Sequence, residues 1–217
     1  MKALFLSILA LLPAAASAQR DTLGVLERSS VFSAEDERAV AGFHTESPAM
    51  MLYRSEQSLS QISLRIDLRR EQEALLQPLG DGAFDGGFYA ESYRRLSERS
   101  ATWADARYVR GNRRNVCWNS TADYLLLYPC ITADSAGGNL STEEYAFGGG
   151  YVHRVGRFDL AIRGDYRAGQ EYRQVDPRPH NVVSDFTIKL GVGMQFPLYV
   201  LGLDLQGRLY KQDQDID

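Results

Sequence analysis

The chain has 217 residues, of which 44% are hydrophobic and 24% are charged, and its formal net charge is -4. This slightly acidic balance argues against a nucleic-acid partner. Beyond the first residues no apolar run is long enough for a transmembrane helix, and the mean hydropathy is -0.31.

The first 18 residues have the pattern of a secretory signal peptide. Lys2 gives a short positive start, residues 3–12 are apolar, and Ala16-Ser17-Ala18 forms a small-x-small cleavage site. The alternative, a retained anchor helix, needs about 20 apolar residues. We therefore expect an exported protein whose mature chain begins near Gln19.

Residues 19–57 are mixed and polar, and they show no alternation with a period of two. We interpret them as a periplasmic N-terminal segment. The rest of the chain, residues 58–217, alternates apolar and polar residues in seven stretches, which predicts β-strands because successive Cβ atoms of a strand point to opposite faces. The predicted strands cover residues 62–69, 87–96, 102–110, 144–154 and 158–167, and two parts of 184–210 joined at Phe196-Pro197-Leu198.

The alternation defines an apolar side and a charged side. In an outer-membrane barrel the apolar side contacts lipid and the polar side lines the interior, whereas in a soluble sandwich the apolar side is the core. On the barrel interpretation the lipid-facing residues include Phe186, Ile188, Leu190, Val192, Met194, Phe196, Leu201, Leu203 and Leu205. The lumen-facing charges are Arg65, Asp67, Asp105, Arg107, Arg163, Asp165, Lys189, Asp204 and Arg208.

The predicted connections alternate between long and short along the chain. Long ones follow the first, third and fifth strands, and short ones follow the second, fourth and sixth. This order is typical of outer-membrane barrels, which have short periplasmic turns and long extracellular loops. A soluble lipocalin-like barrel remains an alternative.

Strand length is also consistent with a membrane. Residues 186–196 extend about 33 Å at roughly 3.3 Å per residue. A tilt of about 40° projects this length to about 25 Å, the height of the apolar band of a barrel. Seven strands do not close a barrel with an even strand number, so we expect an all-β antiparallel meander that forms the N-terminal part of a longer transmembrane β-barrel, truncated or fragmentary here.

Residues 110–185 contain short elements rich in arginine, aromatic residues, glycine and proline. They are Arg114-Asn115-Val116 with Trp118, Leu127-Tyr128-Pro129, Asp134 with Gly137-Gly138, Gly149-Gly150-Tyr151, Tyr166-Arg167-Ala168, and Asp176-Pro177-Arg178-Pro179 with Asn181 and Asp185. In these elements the chain resembles a family of uncharacterised outer-membrane barrel proteins from Bacteroidetes, over most of residues 60–210. The resemblance implies an outer-membrane location and a barrel fold, and it implies longer relatives. It supplies no substrate and no catalytic residues.

Few residues suggest chemistry. The three histidines lie on separate elements, and the chain has no recognisable metal, cofactor or nucleophile motif. Ser184, His180 and Asp185 are close in sequence, but proximity in sequence does not provide the geometry of a triad. We therefore expect no cofactor and no enzymatic activity. Residues 176–179 are interpreted as a stiff loop brace.

Cys117 and Cys130 lie in one predicted exterior loop of an exported protein, where a disulfide is permitted. A bridge and two free thiols remain open alternatives. A bridge would contribute roughly 3 kcal/mol in the chain-entropy model.

The sequence thus leaves three functional hypotheses. The first is an outer-membrane barrel for transport or surface interaction, whose partners are outer-membrane lipid and the barrel-assembly machinery. The second is a soluble periplasmic β-sandwich or lipocalin-like binding protein, and the third is an outer-membrane barrel enzyme. The first is preferred because loop lengths and strand length agree with it.

Overall fold

A computed structural model describes residues 47–54, 58–173 and 178–216. The predicted signal peptide and most of the predicted N-terminal segment lie outside the described residues. The described part forms seven strands and three short helical turns. The strands are β1 (Ser58–Arg70), β2 (Gly82–Ser97), β3 (Ser100–Val116), β4 (Gly138–Val155), β5 (Phe158–Tyr172), β6 (Pro179–Gln195) and β7 (Val200–Ile216).

The strands form one sheet in the order β1-β2-β3-β4-β5-β6-β7, and each strand is antiparallel to the next. The predicted all-β antiparallel meander is therefore confirmed. The sheet is open, with β1 and β7 as its two edges.

Most strands are longer than the alternation predicted. β3 continues to Val116 through Asn112, Arg113 and Arg114, where both faces are polar and the alternation of apolar residues fades. β5 continues to Tyr172 and β6 begins at Pro179. The long loop predicted between them is wrong, because the backbone pairing extends beyond the apolar part of each strand.

The connections are residues 71–81, 98–99, 117–137, 156–157, 173–178 and 196–199. The first four keep the predicted order of long and short. The longest, residues 117–137, is the β3–β4 loop, and it contains the single helical turn α1 (Tyr124–Leu127).

The register gives the sheet two chemically different faces. One row of paired residues runs through Leu205, Leu190, Ile162 and Tyr151 on β7, β6, β5 and β4. We call this side the apolar face. The opposite side, which contains Arg167, is the polar face.

A short 3₁₀ turn before β1, the 48–53 segment (Pro48–Tyr53), packs on the polar face. Its Met51 and Leu52 form the main buried apolar cluster of the described residues together with Tyr93, Ala101, Trp103 and Val152. The core of this fold therefore lies under the 48–53 segment, at the end of the sheet that carries the short turns.

The sheet curves around this segment. Arg95 on β2 donates hydrogen bonds to the carbonyls of Leu52 and Arg54 at 2.8 and 2.7 Å. On β7, a Cβ added to Gly202 would lie 2.8 Å from Cε of Met50. Five strand spacings separate β2 from β7, about 24 Å in a flat sheet. Two residues of a 3₁₀ turn rise only about 4 Å, so both strands reach one short segment because the polar face is concave.

Among the described residues, no helix has the length and apolar character needed to cross a membrane.

Candidate functional site

The charges predicted for one side of the sheet do lie on one face. The register puts all nine on the polar face, and it puts the predicted apolar residues of β6 and β7 on the apolar face. Phe196 lies just beyond the end of β6. The sheet therefore groups the residues as the alternation predicted.

A row of alternating charges crosses five strands of the polar face. Arg107 contacts Glu144 at 2.7 Å, and Glu144 contacts Arg167 at 3.2 Å. Arg167 contacts Asp185 at 3.3 Å, and Asp185 contacts Arg208 at 2.7 Å. Each charged side chain has an oppositely charged partner on a neighbouring strand, so the charges of the row are paired with one another.

A second group of charges lies between this row and the short turns. Nε of Arg163 donates to both carboxylate oxygens of Asp165, at 2.8 and 2.9 Å, and Nη2 donates to Oδ1 of Asp105 at 2.7 Å. Gly148 lies beside this group, and a Cβ there would be 2.3 Å from Oδ1 of Asp165. A glycine at this position therefore makes room for the ion pairs.

The 48–53 segment is held by a buried carboxylate. Asp159 is 0% exposed, and it accepts hydrogen bonds from Tyr53 Oη at 2.5 Å and from Arg154 Nε at 2.6 Å. Burial, and then the hydrogen bond with Asp159, raise the pKa of Tyr53 to about 12. Tyr93 also donates to the carbonyl of Met51 at 3.0 Å. These bonds close the short-turn end of the polar face.

The β3–β4 loop covers the other end of the polar face. Ser120 is buried, and its carbonyl accepts hydrogen bonds from the side-chain amides of Asn181 and Gln214, both at 2.7 Å. Asp123 of the loop binds Arg167 on β5 and Tyr210 on β7. The loop is thus attached to three neighbouring strands.

Asp134 provides another attachment of this loop, through an ion pair with the buried Arg173. Burial alone would raise the pKa of the Asp134 carboxyl, but hydrogen bonds from Arg173 and from the backbone N–H of Ala136 lower it on balance. The carboxylate is therefore ionised at neutral pH, and the charged form holds the loop.

A cleft of about 550 Å³ lies between this loop and the sheet. Its size is within the range of small-molecule sites. The apolar lining includes Leu79, Val116, Leu125, Leu126 and Leu140. The charged lining consists of Arg69, Asp85, Arg113, Asp123 and Glu171. An adjoining cleft of about 310 Å³ shares Asp85, Arg113, Asp123 and Glu171.

Glu171 is the unusual member of this lining. It follows the apolar part of β5 by several residues and lies at the loop end of the polar face. Burial raises the pKa of its carboxyl to about 7, although Arg113 lowers it in part. Asp123 adds to the rise, and Arg173 opposes it. The carboxyl thus changes charge close to neutral pH.

The three residues considered as a catalytic triad are Ser184, His180 and Asp185, and their side chains lie apart in the structure. Ser184 and Asp185 are neighbours on β6, so their side chains point to opposite faces. The Ser184 hydroxyl donates to Tyr166 at 3.2 Å, and Asp185 pairs with Arg208. His180 instead packs its ring edge-on against Tyr172. The structure therefore does not bring Ser184, His180 and Asp185 together.

Other candidate residues are also placed. Cys117 and Cys130 are free thiols in this structure, and Cys130 is exposed. Of the predicted loop brace, Asp176 and Pro177 lie outside the described residues, and Pro179 begins β6. The described residues include no group of three or more histidine, cysteine or carboxylate side chains that could hold a metal ion.

Sequence reasoning missed the residues that complete the polar face. Asp85, Glu144 and Glu171 lie outside or at the ends of the predicted strands. Continuing the period of two past the apolar residues of each strand would have found them. No sequence signal indicated that residues 117–137 fold onto the sheet.

Comparison with known proteins gives one match. No curated protein and no solved structure matches the chain. A family of unknown function, DUF6850, matches residues 48–217, which include the 48–53 segment and all seven strands. The chain therefore belongs to the family of unknown function DUF6850.

Proposed function

We propose that this protein is exported by a cleaved signal peptide and forms the wall of a β-barrel in the outer membrane. The apolar face contacts outer-membrane lipid, and the polar face lines the interior. The barrel-assembly machinery is then its partner during insertion. Its role is transport or interaction at the cell surface, and the proposal assigns it no catalytic chemistry.

The observation that carries this proposal is the exposure of large apolar side chains across the whole sheet. Leu64 on β1 is 80% exposed and Leu203 on β7 is 76% exposed. Between them, every strand except β3 contributes at least one exposed large apolar side chain to the same face: Phe88, Phe147, Ile162 and Leu190. On β3 the corresponding residue is Tyr108, which is half-buried and packs against Tyr145 with the two rings tilted by 41°. An apolar surface of this extent is unusual for a water-soluble monomer and matches a lipid-facing band.

The direction of the apolar band supports a membrane-spanning sheet. The hydrogen-bonded row through Leu205 on β7 reaches β1 at Ser58. The apolar run of β1, Ile62 to Leu68, is centred seven residues farther, at Arg65. The apolar band therefore shifts by seven residues of about 3.3 Å over six strand spacings of about 4.8 Å. This shift corresponds to an angle of about 39° between the band and the hydrogen-bonded row, which runs perpendicular to the strands. Strands of outer-membrane barrels tilt by about 35–45°.

The edges of the sheet limit how the barrel closes. β1 and β7 run in the same direction, because six antiparallel steps separate them. Direct pairing of β1 with β7 would therefore be parallel. A closed barrel that contains this sheet and keeps antiparallel neighbours has an odd number of further strands between β7 and β1.

The occupied interior favours a surface role over free diffusion. The 48–53 segment covers the polar face near the short turns, and the β3–β4 loop covers it at the opposite end. Many of the charges between them are paired across strands, as in Arg107–Glu144, Arg163–Asp105 and Arg208–Asp185. This arrangement resembles a filled interior more than a continuous water channel.

A lipid-borne quencher tests the proposal. Cys117 and Cys130 are replaced by serine, and one fluorophore is attached at Leu190→Cys or at Lys189→Cys in the full chain reconstituted in liposomes. These adjacent residues lie on opposite faces of β6. We expect strong quenching at position 190 and little at position 189.

Equal and weak quenching at both positions would contradict the barrel. Recovery of the protein in the aqueous fraction without detergent would then favour the soluble binding protein. Strong quenching at position 190 excludes that alternative, because it requires contact between this residue and lipid.

A further inference from the structure

The cleft under the β3–β4 loop has an excess of negative charge. Arg113 pairs with Asp85, since its Nη1 lies 2.7 and 2.8 Å from the two carboxylate oxygens. Asp123 pairs with Arg167. Arg69, the second arginine of the lining, contacts Glu71 at 3.6 Å and donates to the carbonyl of Leu79 at 3.1 Å.

Glu171 is the carboxylate that remains. Within the described part of the chain its side chain has no hydrogen bond and no ion pair, although Asp85 and Asp123 beside it have both. Its cross-strand neighbours in the register are Thr142 and Asn181, and the Asn181 amide is already bonded to Ser120. Glu171 is half-buried. Partial burial penalises the charged form of an unpaired carboxylate, and a cation beside it offsets that penalty.

The apolar part of the cleft lining suits an apolar group. Leu125 and Leu126 on α1 line the cleft and are exposed, and they face it together with Leu79, Val116 and Leu140. Apolar side chains left exposed in a cleft gain free energy when a ligand covers them. The site therefore offers one unpaired carboxylate and an apolar lining, which we call the apolar wall.

We propose that the cleft under the β3–β4 loop binds a small organic cation that carries an apolar group, with the cation at Glu171 and the apolar group against Leu125 and Leu126. The charged groups that line the two clefts with Glu171 are Arg69 and Asp67 on β1, Asp85 on β2, Arg107 and Arg113 on β3, Glu143 and Glu144 on β4, Arg167 on β5 and Asp123 in the loop. Arg173 follows β5. Asp85, Glu144 and Asp123 each have an arginine partner, and Glu171 supplies the charge for the ligand.

This site does not depend on the proposed membrane location, because it lies on the polar face whichever medium covers the apolar face. Its test is accordingly separate from the quenching experiment. Hexylammonium serves as the probe, with hexanol and hexanoate as neutral and anionic analogues of the same chain length. Binding is measured by equilibrium dialysis of the full chain in a non-ionic detergent, with protein-free detergent as the blank.

The key variant is Glu171→Gln, which keeps the shape of the side chain and removes its charge. Asp213→Asn is the matched control, since it removes one exposed carboxylate on the other face of the sheet, paired with Lys211. We expect saturable binding of hexylammonium to the wild-type chain and to Asp213→Asn. In Glu171→Gln the affinity should fall at least tenfold.

The apolar wall has its own variant, Leu125→Ser. It should weaken hexylammonium binding severalfold and leave the weaker binding of methylammonium unchanged. The proposal is wrong if wild-type protein binds hexanol or hexanoate as tightly as hexylammonium. It is also wrong if Glu171→Gln and the wild-type chain bind hexylammonium equally.

Discussion

Arg167 on β5 and Asp123 in the β3–β4 loop are joined by two hydrogen bonds. Nη1 of Arg167 donates to Oδ1 of Asp123 at 3.0 Å, and Nη2 donates to Oδ2 at 2.5 Å. The same guanidinium contacts Glu144 at 3.2 Å and Asp185 at 3.3 Å. One planar cation thus links the loop to three adjacent strands, a role that suits arginine better than lysine.

Replacing this cation should release the loop. In Arg167→Ala, Glu144 and Asp185 keep Arg107 and Arg208, but Asp123 loses its only arginine partner among the described residues. Hydrogen bonds to charged groups contribute about 1.5–3 kcal/mol. We expect a loss of this order in the free energy of unfolding, measured in denaturant, and faster hydrogen exchange in residues 117–137. The stability of Arg167→Lys should lie between that of the wild-type chain and that of Arg167→Ala, because lysine retains the charge but loses the paired hydrogen bonds.

The control for Arg167 is Lys211→Ala. Lys211 pairs with Asp213 at 2.7 Å, but both side chains are largely exposed. Exposed pairs contribute about 0–1 kcal/mol. If both alanine variants change stability and loop exchange equally, the Arg167 cluster does not anchor the loop.

Tyr53 should be the main polar anchor of the 48–53 segment. Tyr53→Phe removes the hydrogen bond to the fully buried Asp159. Hydrogen bonds to charged groups contribute about 1.5–3 kcal/mol. We expect faster hydrogen exchange in residues 48–54, measured by mass spectrometry.

Tyr151→Phe is the matched control, because the described residues give the Tyr151 hydroxyl no hydrogen-bond partner and its ring lies on the apolar face. Its exchange in residues 48–54 should equal that of the wild-type chain. Equal exchange in Tyr53→Phe as well would mean that Met51 and Leu52 hold the segment without the tyrosine.

The alternation of residues was sufficient to predict the sheet. Phe186, Ile188 and Leu190 alternate with Thr187 and Lys189, and this local signal predicted the strand and its two faces. The signal is reliable because it depends only on which face each Cβ occupies. It ends where the apolar residues end, so the predicted boundaries were too short.

The site was much less predictable, because it depends on contacts between distant parts of the chain. Asp123 meets Arg167 across 44 positions, and Gln214 meets Ser120 across 94. Tyr53 meets Asp159 across 106. None of these pairs leaves a periodic pattern in the sequence, since each is formed only after the sheet has curved and the loop has folded onto it.

Glu171 should make stability depend on pH in a definite direction. Its pKa in the folded chain is about 7, against an ordinary value of 4.5. Between these values the folded state binds the proton more tightly than the unfolded state, so the free energy of unfolding falls as pH rises and is constant above about 7. At about 1.4 kcal/mol per pKa unit the fall is about 3 kcal/mol.

Glu171→Gln should lack this fall. Denaturant unfolding at several pH values from 4 to 8, without added amine, gives the difference between the variant and the wild-type chain. We expect the variant to gain relative stability from pH 4.5 to pH 7 and no more beyond it. A difference in the free energy of unfolding that stays constant over the whole range would show that folding does not raise the pKa of Glu171.

Leu190 should be the position most sensitive to charge on β6, because it lies in the middle of the apolar run from Phe186 to Met194. An arginine on the lipid face costs about 2–4 kcal/mol at mid-bilayer and about 0–1 kcal/mol near the interface. We expect Leu190→Arg to lose the larger amount in folding into liposomes, measured by urea titration. Ser184→Arg, on the same face beyond the apolar run, should lose the smaller amount. Lys189→Gln, on the polar face, should change stability by less than about 0.5 kcal/mol.

The contrasting expectation is that of a soluble monomer. Leu190 is 46% exposed, so if water covered this face the protein would tolerate Leu190→Arg almost as well as Ser184→Arg. The dependence on depth, rather than the loss at one position, therefore distinguishes lipid from water at this face.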